Sequence, residues 1–129
     1  MSITFEVKGD ASNEALNELY DASWPAHTPM DFAPLLPRYL AYVCAYDAER
    51  VVGWAYAAWD GWQHAFLLDP TVHPEYRRLG IGIELVRRMT EAARVAGCEW
   101  LHVDYVPELA PFYERCGFEP TDAGLIRLN

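Results

Sequence analysis

Residues 64 to 105 read as strand, helix, strand, and that order restricts the fold more than any other stretch of the chain. His64–Val72 has the composition of a strand. Ile81, Leu85, Met89, Ala92 and Ala96 then recur at helical spacing, and Gly97 supplies a stop. Trp100–Tyr105 follows as another strand. A strand that reaches the next one through a helix predicts a parallel crossover, because a tight turn can join only antiparallel neighbours.

The flanking segments read as follows. Ile3–Val7 alternates as a first strand, and Ser12 precedes a short helix whose apolar stripe is Ala15, Leu16, Leu19 and Tyr20. Ser23 to Pro37 holds four of the nine prolines, so it predicts a loop with one short helical stretch around Phe32–Leu36. Leu40–Tyr46 and Val51–Trp59 flank Asp47-Ala48-Glu49-Arg50 as a hairpin, and Asp60-Gly61 turns the chain into His64–Val72. After the crossover, Pro107 opens a short helix through about Arg115, ended by Gly117. Phe118–Pro120 and Leu125–Leu128, around Asp122-Ala123-Gly124, predict a closing hairpin. The expected class is α/β (α+β): a mixed, mostly antiparallel sheet with one crossover helix. With no repeat or linker, residues 1–129 read as one domain.

Ten basic residues against nineteen acidic give a net charge of −9, which excludes a general nucleic-acid binder. No apolar run approaches the roughly 20 residues of a membrane helix, and Met1–Glu6 lacks the pattern of a signal peptide. Cys44, Cys98 and Cys116 have no C-x-x-C spacing, so reduced thiols, no metal and a cytoplasmic location are expected. The charge is uneven: residues 77 to 94 carry a local balance of +3. Arg87, Arg88, Glu84, Glu91 and Arg94 have the spacing of paired charges on a helix face, such as Glu84–Arg88 and Arg87–Glu91. Arg77 and Arg78 precede the helix and lie outside that explanation.

Those two arginines open the stretch that carries chemistry, Val72-His73-Pro74-Glu75-Tyr76-Arg77-Arg78-Leu79-Gly80-Ile81-Gly82. A strand ends, a turn follows, and two glycines flank the first turn of an amphipathic helix. The first amides of a helix have no internal partner and sit at the positive end of its dipole, so this is an anion site suited to phosphate. A nucleotide loop would need Gly-Lys-Ser/Thr where Gly82 is followed by Ile83-Glu84, and a dinucleotide fingerprint would need glycine where Leu85 stands.

Arg77-x-x-Gly80-x-Gly82 after Val72-His73-Pro74 resembles the acetyl-CoA loop of the GNAT superfamily of N-acetyltransferases. Pro111-Phe112-Tyr113-Glu114-Arg115-Cys116-Gly117-Phe118 is similar to that superfamily's second signature, a tyrosine on a short helix ending in Gly-Phe. The resemblance implies a GNAT-like fold whose fourth strand splays from its neighbour. It implies that backbone amides of Arg77, Arg78, Leu79, Gly80, Ile81 and Gly82 hold the pyrophosphate of acetyl-CoA. It also implies that the backbone of Thr71, Val72 and His73 pairs with the pantetheine, that Phe112 borders the cofactor, and that Tyr113 protonates the departing thiolate. A homodimer is a further implication.

Two positions depart from the pattern. The glutamate base of histone-modifying members corresponds here to Phe66, which takes no proton, and a cofactor-binding asparagine corresponds to Val106. Two candidates for the proton acceptor stand on the same strand. His64 shares the alternating face of Phe66, and imidazole as a side-chain type can take up a proton. Asp69 has the opposite phase but lies three residues from Val72, where a bulge can reset which side chains face the cleft. Trp54, Tyr56, Trp59 and Trp62 read as core aromatics of the hairpin or as walls for a cationic acceptor. The expected activity is acetyl transfer from acetyl-CoA to an amine of a small molecule or protein. The acidic surface favours a cationic acceptor, and acceptor choice is expected from Ser23–Pro37 and Trp59–Gln63. Phe66 favours a second reading, a non-catalytic acyl-CoA-binding module.

Overall fold

The computed structural model describes residues 2–129. Five strands form one sheet in the order β1-β2-β3-β4-β5: β1 (Ile3–Val7), β2 (Ala41–Asp47), β3 (Arg50–Trp59), β4 (His64–Val72) and β5 (Trp100–Val103). The first four are antiparallel neighbours, and β4 and β5 run parallel, joined by the crossover helix α2 (Ile81–Val95). Helix α1 (Asn13–Ser23) follows β1, and α3 (Ala110–Arg115) follows β5. The mixed sheet and its crossover are as the residue pattern predicts.

Each face of the sheet carries its own core. Against α2 the strands present mostly small residues, among them Ala41, Ala45, Ala55, Ala57 and Ala65, which lets the helix bury Ile81, Leu85, Val86 and Met89 close to the sheet. On the other face Leu16, Leu19 and Tyr20 of α1 pack with Phe32, Cys44, Tyr46 and Trp54. Burying a leucine or methionine side chain contributes roughly 1.5–3 kcal/mol; Leu16, Leu85 and Met89 are each wholly enclosed. Helix α1 starts where Ser12 accepts a hydrogen bond from the Ala15 amide at 3.0 Å.

Four expectations change. The proline-rich segment forms its helical turn at Leu36–Arg38 rather than around Phe32–Leu36, because Phe32 turns inward against Trp54. β5 stops at Val103 rather than Tyr105, since its pairing with β4 ends at Leu67↔Val103. The closing hairpin does not form: residues 118–129 contain no strand, and Leu125, Ile126 and Leu128 are exposed. Its arms are three and four residues long and one contains Pro120, too little to hold an isolated two-stranded ribbon. Of the four hairpin aromatics only Trp54 is core; Tyr56 is half-buried, and Trp59 and Trp62 are exposed.

Candidate active site

The site originates in an irregularity of β4. Trp54 pairs with Thr71 and Tyr56 with Leu68, so Ala55 alone faces both Asp69 and Pro70. Pro70 has no N–H to give the ladder, and such a residue is accommodated at a bulge. Asp69 takes up the left-handed backbone, φ +49°, a conformation that aspartate and asparagine tolerate better than most residues. β4 pairs with β5 only from His64 to Leu67. Beyond that point the strands diverge, and the edge of β4 after the bulge has no β5 partner.

This opening leads into a cavity of about 750 Å³. Pro70, Thr71 and Val72 form one wall, Arg77, Arg78 and Gly80–Ile83 the floor, and Leu109, Phe112, Tyr113 and Arg115 the facing wall. Ser23 and Trp24, at the end of α1, close one end. The loop into α2 is shaped by Arg78 at φ +65° and Gly80 at φ +79°. The first amide bonded within the helix is that of Glu84, to the Gly80 carbonyl, which leaves the Ile81, Gly82 and Ile83 amides to a ligand. Gly82 permits the close packing here: a Cβ on it would stand 3.2 Å from Phe112 Cε1.

Arg77 and Arg78 are exposed at this rim, and Arg77 Nε donates to the Val72 carbonyl at 3.3 Å. The rest of the basic island is spent on the helix surface. Arg87 and Arg88 both bond Glu84, and Arg94 pairs with Glu91. The expected Arg87–Glu91 pair is replaced by Arg87–Glu84. The two guanidinium groups hold the Glu84 carboxyl down to about 2, the hydrogen bond from Arg87 contributing most.

Tyr113 is buried, stacked on Tyr105 with ring centroids 4.8 Å apart and edge-on to Phe112 and Phe118. Burial pushes its phenol above the usual range; Cys116 and the charge of Asp69 add to this. Tyr113 therefore carries its proton throughout the neutral range. Thr71 Oγ1 donates to the Asp69 carbonyl at 2.8 Å and accepts from Trp24 Nε1 at 3.2 Å, tying the bulge to the end of α1. The His73 amide is turned toward β3, donating to the Val52 carbonyl at 2.8 Å, so His73 offers no N–H to the cleft.

Of the residues read as proton acceptors, Asp69 stands at the bulge, next in sequence to Pro70 and Thr71 of the cavity wall but not itself lining it, and His64 stands at the far end of β4. Asp69 Oδ2 lies 3.3 Å from the Tyr20 hydroxyl. His64 Nδ1 lies 2.8 Å from His102 Nε2, eight residues from Val72, roughly 26 Å along an extended strand. Phe66 stacks on the same His102, centroids 4.4 Å apart. Ser23 and Trp24 belong to the Ser23–Pro37 segment from which acceptor choice is expected, whereas Leu109 and Arg115 were not anticipated as site residues.

The comparisons with known proteins agree with this geometry. The family model described as "Acetyltransferase (GNAT) family" matches residues 11–118. A probable glucosamine 6-phosphate N-acetyltransferase 2 of Oryza sativa subsp. japonica is 42% identical over 50 residues, which are 39% of this chain and 30% of that protein. The chain thus matches under a third of that relative's length. A GNAT family acetyltransferase of Streptococcus pneumoniae TIGR4 superposes with a TM-score of 0.83 at 25% identity, covering 99% of this chain and 98% of that one. The aminoglycoside N-acetyltransferase AAC(6')-Iy, solved with CoA, shares the fold at a TM-score of 0.79 and 19% identity, covering 99% and 95%. With a family match across most of its length, and with the splayed strand, glycine loop and buried tyrosine arranged around one cavity, the chain belongs to the GNAT family of acetyltransferases.

Proposed function

We propose that this chain transfers an acetyl group from acetyl-CoA to an amine. The observation that carries the reading is the convergence on one cavity of three unbonded helix amides, an unpaired strand edge and a proton-bearing tyrosine. The residues suit such a donor. The Ile81, Gly82 and Ile83 amides with Arg77 and Arg78 match a pyrophosphate, Phe112 covers the loop beside Gly82, and the β4 edge at Thr71 and Val72 offers backbone groups to the pantetheine. Bound there, acetyl-CoA supplies an acetyl thioester.

The residues then divide the proton work. Asp69 takes the proton that an ammonium acceptor must lose, since an alkylamine has a pKa of about 10. The neutral nitrogen attacks the thioester carbon, whose oxygen is stabilised by backbone amides at the bulge. As the N–C bond forms and the C–S bond breaks, Tyr113 gives its proton to the departing sulfur, and the proton that the new amide nitrogen sheds restores the phenol. What supports Asp69 over His64 is its place at the bulge; His64 reaches the amine only through a long water chain. Phe66 supports the competing reading, acyl-CoA binding without transfer.

Differential scanning calorimetry tests the donor. Acetyl-CoA should raise the melting temperature in a concentration-dependent way while ATP and NAD leave it unchanged; equal shifts from all three would remove the donor assignment.

A further inference from the structure

The face of the sheet opposite α2 surrounds Asp69 with more hydroxyl groups than the proton transfer uses. Tyr20, almost fully buried, accepts a hydrogen bond from Trp54 Nε1 at 3.0 Å and directs its own O–H to Asp69 Oδ2 at 3.3 Å. Tyr56 pairs with Leu68 just ahead of the bulge, and its ring stacks on Tyr39 with centroids 4.2 Å apart. Asp69 itself stays open to solvent, and Tyr39 and Tyr56 are half-buried.

We propose that Tyr20, Tyr39, Tyr56 and Asp69 form the acceptor's ammonium subsite, and that the acceptor is a cationic primary alkylamine. The inference rests on the transferase reading and adds the substrate class. A carboxylate that accepts from the buried Tyr20 phenol is held on one side, so its other oxygen is left to the acceptor. An ammonium group there finds a full negative charge, phenol oxygens to accept its other N–H groups, and aromatic faces that attract cations. Burial above all keeps the Tyr20 and Tyr56 phenols neutral donors, and Asp69 adds to the effect. Asp69 is therefore the single charge within the group. A phosphorylated amine would bring its anion toward Asp69 in a chain of net charge −9. On the neighbouring elements, His27 packs on Tyr20 with Nε2 engaged by Asn17 Oδ1, and Arg38 is exposed next to Tyr39 in sequence.

Isothermal titration calorimetry on the chain saturated with CoA tests this directly, with 1,4-diaminobutane and glucosamine 6-phosphate as the probes. The diamine should bind and the phosphorylated amine should not. Asp69→Asn should weaken the diamine about tenfold or more and Tyr56→Phe by a smaller factor. Asparagine tolerates the left-handed backbone at position 69, so that variant should fold; Tyr56→Phe stands as the independent variant, with circular dichroism checking both. Diamine affinity unchanged in both variants, no diamine binding to the wild type, or preferred binding of glucosamine 6-phosphate each overturns the proposal. Failure of CoA itself to bind the wild type defeats the transferase reading instead, so the two failures are distinct.

Discussion

Gly82 on α2 and Phe112 on α3 are in close contact: an added Cβ would stand 3.2 Å from Cε1 and 3.3 Å from Cζ of the ring, so the ring would have to give by a few tenths of an ångström. The contact joins the N-terminal end of α2 to the helix that carries Tyr113. The two halves of the site are therefore one packed unit, and a change at either end of the contact is felt by both.

The two loop glycines should accordingly fail in different ways. Gly82→Val should displace Phe112, lowering acetyl-CoA affinity and thermal stability together. Gly80→Ala meets nothing within 4 Å but must hold φ +79°, a strain of about 1–2 kcal/mol, so it should cost stability while acetyl-CoA still binds. Calorimetric scans with and without acetyl-CoA separate the outcomes; a Gly82→Val protein as stable as wild type would show that the contact is slack.

Tyr113→Phe keeps the ring that stacks on Tyr105 and removes only the hydroxyl. Acetyl-CoA affinity should stay near that of the wild type while kcat falls 10²–10⁴-fold, the usual contribution of a positioned general acid. Steady-state kinetics with one identified amine decide it. Wild-type turnover would make Tyr113 a packing residue.

The proton acceptor is tested by kcat/KM with one amine in wild type, Asp69→Asn and His64→Gln. A loss of turnover with CoA binding intact should appear only in Asp69→Asn. A loss only in His64→Gln would transfer the role to His64, and wild-type rates in both would mean that this strand supplies no base.

How much of this was legible beforehand differs by residue. The crossover and the glycine loop at the start of α2 follow from local signals, helical spacing and glycines, and both stand where the residue pattern puts them. Asp69 was harder, because strict alternation turns it away from Phe66; only Pro70, which cannot serve the ladder, marks the bulge that changes its direction. Tyr20 read as part of an apolar stripe. Its hydroxyl bonds a residue 49 positions away, beyond the reach of any local pattern. The closing hairpin was a local signal without a partner strand, and local signals alone do not hold a sheet.

Glu84 gives the acid limb of stability a specific signature. Its folded carboxyl lies near 2 against 4.5 unperturbed. The stabilisation it gains from Arg87 and Arg88 is present above about pH 4.5 and is lost as the pH falls toward 2. Urea midpoints of wild type and Glu84→Gln should differ at pH 7, approach each other as the pH falls from 4.5, and converge at about pH 1.5; a gap as wide at pH 1.5 as at pH 7 would assign it to packing.

Leu85 is fully buried between α2 and the small residues of β2 and β3. Leu85→Ala should lower stability by about 2–5 kcal/mol, read from urea denaturation. A loss below 1 kcal/mol would mean that the α2 face repacks freely.

The central claim is acetyl transfer at the splayed edge of β4, and the most direct measurement is release of free CoA thiol from acetyl-CoA in the presence of a panel of primary amines, with mass spectrometry of the amine. The account predicts amine-dependent thiol release matched one-to-one by an acetylated amine, with at least a hundredfold loss in Tyr113→Phe. Saturable binding of acetyl-CoA with no amine-dependent thiol release across the panel would contradict it and make the chain an acyl-CoA-binding module.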